Sequence, residues 1–179
     1  MDYKLLKLNI KRTLMNSFRT FQGDAIVNDF TSEAIKSPSI LIIFPIQTNL
    51  ISESMDAISE VVSAHEHNDS SFTFIIDKNR ASMINFFDIQ TIPVEIKKEK
   101  FLLDSNMIFK KIETQSFDII LNLNIKFNLG VDALVEKINA KYKIGFISKY
   151  SDLFYNIQLN WDESGSRFSS IVNILGEAQ

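Results

Sequence analysis

The sequence predicts a single three-layer α/β/α domain with a mostly parallel sheet of five or six strands and an extra N-terminal helix. Three observations carry that expectation. Short apolar runs alternate with stretches whose apolar residues recur at helical spacing, the pattern of βαβ winding. The runs are continuously apolar, as in strands covered on both faces. The chain has 179 residues, 45% of them hydrophobic, with 15 Phe against one Trp and four Tyr. That is enough for one domain with a real, phenylalanine-rich core.

Leu6, Ile10, Leu14, Phe18 and Phe21 fall on one helical stripe, which predicts an amphipathic helix within Met1–Gln22. That segment holds five basic residues, Lys4, Lys7, Lys11, Arg12 and Arg19, against one acid, Asp2. Two readings stay open: a helix packed on the domain with a solvated basic face, or one docked on an anionic membrane leaflet or a partner protein. The α/β core is expected over residues 39–179, without an internal boundary or repeat.

Ile40–Phe44 is the first strand, stopped by Pro45, and Ile51, Met55, Ile58 and Val62 mark the helix after it. Phe72–Ile76 is the second strand. A short helix is expected around Arg80–Phe87, then a third strand near Ile92–Ile96, where Pro93 suggests an edge or an early position. Lys97–Gln115 is charged and poorly periodic, with a short helix over Met107–Ile112. Phe117–Leu123 is the fourth strand. Val131, Leu134, Val135 and Ile138 mark the next helix, Lys143–Ile147 is a fifth strand and Tyr155–Leu159 a sixth. Phe168, Ile171, Val172 and Leu175 share the face of a last helix, with Gly176 as its stop.

Composition excludes several function classes. A net charge of −3 removes the global electrostatic attraction for nucleic acid. With no Cys there is no disulfide framework, thiolate nucleophile or cysteine-based metal site. The five Gly stand too far apart for a phosphate-cradling loop. The longest apolar run, Ile40–Ile46, is too short to cross a bilayer, and Met1–Gln22 lacks a signal-peptide pattern. The expectation is a cytoplasmic chain, peripheral to a membrane at most, and the Asn68 sequon carries no meaning there.

Candidate chemistry is sparse. His65 and His67, with Asp69, could chelate a metal, but i, i+2 side chains diverge and further ligands are not evident. The His65–Ser71 stretch reads as a surface loop, and neither a metal nor a cofactor is assigned. Lys97, Lys98, Lys100, Lys110 and Lys111 are interspersed with Glu95, Glu99 and Glu113, which favours a solvated face over a docking patch. The Phe72/Phe74 and Phe86/Phe87 pairs read as core. Phe154, Tyr155 and Trp161 are the candidate exposed contact patch.

Two stretches resemble the N-terminal half of lipopolysaccharide heptosyltransferases, glycosyltransferase family 9, which have the two-domain GT-B fold. One is Ile40–Pro45 with the helix Ile51–Val62. The other is Phe117-Asp118-Ile119-Ile120-Leu121-Asn122-Leu123-Asn124, a helix to Asn139, and Ala140-Lys141-Tyr142-Lys143-Ile144-Gly145-Phe146. The resemblance spans about residues 39–147 and implies a Rossmann-like domain.

The resemblance also implies that the chemistry is gone. The family's first loop carries a Gly-Asp whose Asp is the base; Asn49 and Leu50 fall at those positions, and Phe44 replaces the arginine before Pro45. A leucine cannot accept a proton. Glu53 and Asp56 lie about one and two helical turns further along. The family's donor-binding domain would follow Gln179, so no nucleotide-sugar is expected as a ligand. The resulting expectation is a non-catalytic interaction or scaffold subunit with other protein subunits as partners. The alternative is the acceptor-side half of a split glycosyltransferase or a small-ligand-binding domain. A corollary places Ile46 and Leu50 on a partner surface, so that Leu50→Asp would leave the fold intact.

Overall fold

The computed structural model describes residues 37–67, 69–84, 89–97, 100–102, 110, 112, 114–161 and 165–176. The expected helix of Met1–Gln22, with Lys4, Lys7, Lys11, Arg12 and Arg19, lies outside these, as does the Phe86/Phe87 pair. Seven strands form one sheet: β1 (Ser39–Ile43), β2 (Ser71–Asp77), β3 (Gln90–Lys97), β4 (Lys100–Leu102), β5 (Ser116–Asn122), β6 (Asn139–Phe146) and β7 (Ile157–Leu159). Their order is β4-β3-β2-β1-β5-β6-β7, and every pairing is parallel except β3 with β4.

β1 is central because both its faces are apolar. Ile42 is paired with Phe74 on one side and Leu121 on the other. Ile40, Ile42 and Phe44 pack under helices α1 (Ile51–Ala64) and α3 (Ser169–Leu175), with Ile58, Val61 and Ile171. Leu41 and Ile43 face the other layer, where α2 (Leu129–Lys137) contributes Val131, Leu134 and Val135. Each such fully buried aliphatic side chain is worth about 1.5–3 kcal/mol. The three layers match the predicted fold class.

The helix ends are held by side chains. Asn128 caps α2 by accepting from the N–H groups of Gly130 and Val131. At the other end Lys143 Nζ donates to the Val135 and Glu136 carbonyls at 2.7 and 3.1 Å. His65, just past α1, is buried; its Nε2 meets the Leu175 carbonyl at 2.9 Å, and the Ser70 hydroxyl lies 3.2 Å from its Nδ1. It joins the ends of α1 and α3, which corrects the reading of a surface loop, while His67 is exposed.

Other expectations are corrected. β4 adds a seventh, antiparallel strand, since Lys97 and Lys100 pair across a hairpin that charge had disguised as loop. Pro93 lies inside β3, but two residues before the β4 ladder begins at Glu95. The Lys78 N–H donates to the Val94 carbonyl, so Pro93 faces the unpaired side, where its missing donor costs nothing. The helix expected at Arg80–Phe87 is, in its described part, a single 3-10 turn at Ala81–Met83. β6 starts at Asn139, four residues ahead of the start expected at Lys143.

Candidate functional site

The sheet winds outward from β1 to β2 and β3, then crosses back to β5, β6 and β7. At such a switch point the connections leave the carboxyl ends of two adjacent strands in opposite directions and open a crevice, the usual ligand position in α/β sheets. Here the crevice lies between β1 and β5, under the loops 44–50 and 123–128.

That crevice is occupied by the chain's own polar side chains. The Ile46 N–H donates to Asn124 Oδ1 at 2.9 Å, and Asn124 Nδ2 donates to Asn122 Oδ1 at 2.8 Å and to the Phe44 carbonyl at 3.3 Å. Asn122 Nδ2 donates to the Tyr155 hydroxyl at 2.5 Å, and that hydroxyl donates to Asp132 Oδ1. Asp132 Oδ2 accepts from the Asn128 N–H at 2.8 Å. Every link from Ile46 onward donates in one direction, toward a single carboxylate. Aligned links of this kind polarise one another.

Asp132 is only 3% exposed and Tyr155 4%. Burial raises the Asp132 carboxyl to about 6, against the opposing hydrogen bonds from Tyr155 and Asn128. Burial, followed by the adjacent Asp132 charge, pushes the Tyr155 phenol up as well. Gly145 makes room for this tyrosine: a Cβ there would sit 2.6 Å from Tyr155 Cε1. That close approach is a physical reason for glycine in the Ile-Gly-Phe stretch of β6.

The loop after β1 is part of the core. Phe44 packs edge-to-face on Phe74 at 5.4 Å, and Pro45 is buried beside it. Leu50 is 2% exposed and Ile46 4%, while Asn49 faces solvent. This overturns the expectation that Ile46 and Leu50 form contact surface. Glu53 accepts from the Arg167 N–H at 2.5 Å and from its guanidinium at 3.1 Å. The Glu53 carboxylate thus ties α1 to the segment before α3.

The expected contact patch is corrected too. Phe154 and Tyr155 are buried, with Phe154 6.3 Å from Phe127, because the segment folds inward as a 3-10 turn (Ser151–Leu153) before β7. Trp161 is half-buried against the α1/α3 layer. Sequence reasoning did not single out Asn122, Asn124, Asp132 or Tyr155 as one unit. Two asparagines closing an otherwise apolar strand were the available signal.

At the opposite end of the sheet an open groove of about 590 Å³ is lined by Ser39, Ser71, Phe72, Gln90, Gln115 and Ser116, among others. Asp118 sits beside it and accepts from both the N–H and the hydroxyl of Ser39 at 2.8 Å. These bonds hold its carboxyl below the usual range.

The sheet order and the switch-point crevice define a Rossmann-like α/β domain. Among solved structures it is similar to the glycosyl transferase family 9 protein of Veillonella parvula DSM 2008, with a TM-score of 0.59 at 15% identity. The likeness, which is one of fold, covers 80% of this chain and 44% of that one, so the chain spans less than half of its neighbour's length. No family model and no curated protein matches the sequence. Among the described residues no helix is long and apolar enough to cross a membrane.

Proposed function

We propose that this chain is a non-catalytic interaction or scaffold subunit built on a glycosyltransferase-like domain. In this reading it serves a larger assembly at the cytoplasmic face of a membrane, with protein subunits as partners and the Met1–Gln22 segment as one contact. The observation that carries the proposal is the self-filled switch point. The Ile46 N–H and the Phe44 carbonyl, the backbone groups a ligand would use there, are both bonded to Asn124. A ligand would have to displace those bonds, leaving buried polar groups unpaired at about 1–3 kcal/mol each.

The test is calorimetry of the full chain with nucleotide-sugar donors, alone and with donor-binding domains supplied as separate chains. No heat of binding up to millimolar donor is the expected result. Micromolar binding or sugar transfer in either arrangement would sink the scaffold reading in favour of a split enzyme.

A further inference from the structure

His65 and Ser70 flank the turn from α1 into β2, and the contact between them has a direction. The imidazole Nε2 lies 2.9 Å from the Leu175 carbonyl, which can only accept, so Nε2 carries the proton. In the neutral ring Nδ1 is then the acceptor, and the Ser70 hydroxyl, 3.2 Å away, donates to it. Phe72 meets the imidazole edge-to-face with ring centroids 6.0 Å apart, and His65 is buried. A serine hydroxyl, an imidazole that accepts its proton and a third group that orients the imidazole together make the arrangement of an activated nucleophile.

The hydroxyl has a space to act in. Ser70 lines the amino-end groove of about 590 Å³ and is half-buried there, in front of the buried imidazole. Phe72 and Phe117 give the groove apolar wall, and Ser71, Gln90 and Gln115 bring hydroxyl and amide donors to it. None of the described residues that line it is charged. Such walls fit a small uncharged ester, with its acyl chain against the phenyl rings and its carbonyl oxygen toward the donors.

We propose that Ser70 is a nucleophile for acyl transfer from small uncharged esters, with His65 as its base and the Leu175 carbonyl orienting that base. In the first half, Ser70 Oγ bonds to the ester carbonyl carbon while its proton passes to His65 Nδ1. The bond from that carbon to the alcohol oxygen breaks, and the alcohol leaves with the proton from Nδ1. In the second half, water adds to the acyl carbon and gives a proton to Nδ1, and Ser70 Oγ leaves and takes that proton back. The sum is ester plus water to acid plus alcohol, with no further reactant. The site lies at the other end of the sheet from the switch-point crevice. It adds ester chemistry to a domain proposed above not to transfer sugars, and it does not depend on that reading.

The experiment treats the full-length chain with a fluorophosphonate and, separately, with p-nitrophenyl acetate, and maps the modified residue by peptide mass spectrometry. Ser71, the next residue and exposed on the same groove, is the internal control. The expected result is labelling of Ser70 about 100-fold faster than of Ser71, with nitrophenolate release that continues beyond a single turnover. Ser70→Ala should lose both. His65→Gln, whose amide can still donate to the Leu175 carbonyl, should slow the labelling of Ser70 to the rate of Ser71. No label at Ser70, equal rates at the two serines, or a Ser70 rate that survives His65→Gln would each overturn the proposal. If His65→Gln does not fold, the ratio of Ser70 to Ser71 in the wild-type chain decides the matter.

Discussion

Asp118 and Asp132 sit at opposite ends of the sheet with the same donor set and opposite chemistry. Each accepts one backbone N–H and one hydroxyl: Ser39 supplies both to Asp118, while Asn128 and Tyr155 supply them to Asp132. Yet the Asp118 carboxyl is held down, by the Ser39 bonds, and the Asp132 carboxyl is pushed up, by burial. Hydrogen bonding favours the anion in both places. What differs most is water: Asp118 is exposed at the amino end, where the Lys141 charge adds a smaller lowering, and Asp132 is sealed under the carboxyl-end loops. Desolvation outweighs two good donors once access is lost. The amino end is an open groove, and the carboxyl end, where α/β domains take ligands, is packed shut.

The largest effect tests how firmly it is shut. Leu50→Asp should cost at least about 4 kcal/mol, because it puts an unpaired carboxylate where an apolar side chain is 2% exposed. Against a total stability of about 5–15 kcal/mol that leaves a marginal or unfolded chain. Asn49→Asp, one residue earlier and exposed, should change stability by no more than about 0.5 kcal/mol. Thermal melts followed by circular dichroism compare the two. A Leu50→Asp protein that melts with the wild type would mean the loop is open and the comparison fails.

Next comes the pH dependence of the two ends. Asp132 has a folded-state carboxyl raised from 3.8 to about 6. Its contribution is therefore fully present below the unfolded value and lost as pH rises through about 6, a linkage of about 3 kcal/mol. Asp118 has the opposite sign, stabilising above the unfolded value and losing that as pH falls below it. Urea unfolding between pH 4.5 and 7.5 should show wild type losing about 2–3 kcal/mol relative to Asp132→Asn. Parallel curves for the two proteins would show that Asp132 is as well solvated as Asp118.

The two ends also differ in how much of them the sequence revealed. The layers, the central strand and the positions of α1, α2 and β5 follow from continuous apolar runs and helical spacing, which burial on both faces enforces. β4 escaped because three residues in a charged stretch carry no period, and only the pairing with Glu95–Lys97 makes them a strand. Phe154 and Tyr155 look like surface in the sequence because an aromatic in an irregular segment has no pattern to mark its burial. The donor chain was illegible for a related reason. Its members are spread over residues 46–155 and meet only through strand register and the turn after β6. Asn122 and Asn124 were visible as polar residues ending an apolar strand, but nothing local points from them to Asp132 or Tyr155.

Gly145→Ala probes the same closed end with a smaller perturbation. The added methyl would start 2.6 Å from the Tyr155 ring, which must move and take its hydroxyl off Asp132 and Asn122. Overpacking of this kind costs about 1–3 kcal/mol. The double variant Gly145→Ala/Tyr155→Phe should lose less than the sum of the two single losses, since the bonds disrupted by the first are absent in the second. Strict additivity in chemical denaturation would mean the glycine serves the strand alone.

The smallest effect belongs to the open end. Asp118→Ala removes the acceptor for the Ser39 N–H and hydroxyl, and with it the Asp118-mediated tie between the start of β1 and β5. Both donors lie at an exposed site where water can replace the carboxylate, so the loss should be only about 0.5–1 kcal/mol. Asp118→Asn keeps an acceptor and should recover about half of it. The informative number is the ratio to Asp132→Ala, which strands the Asn128 N–H and the Tyr155 hydroxyl away from water and should cost several times more. Equal losses in matched unfolding experiments would show that burial does not separate the two aspartates. A large ratio would tie their opposite behaviour to solvent access, as identical donor sets require.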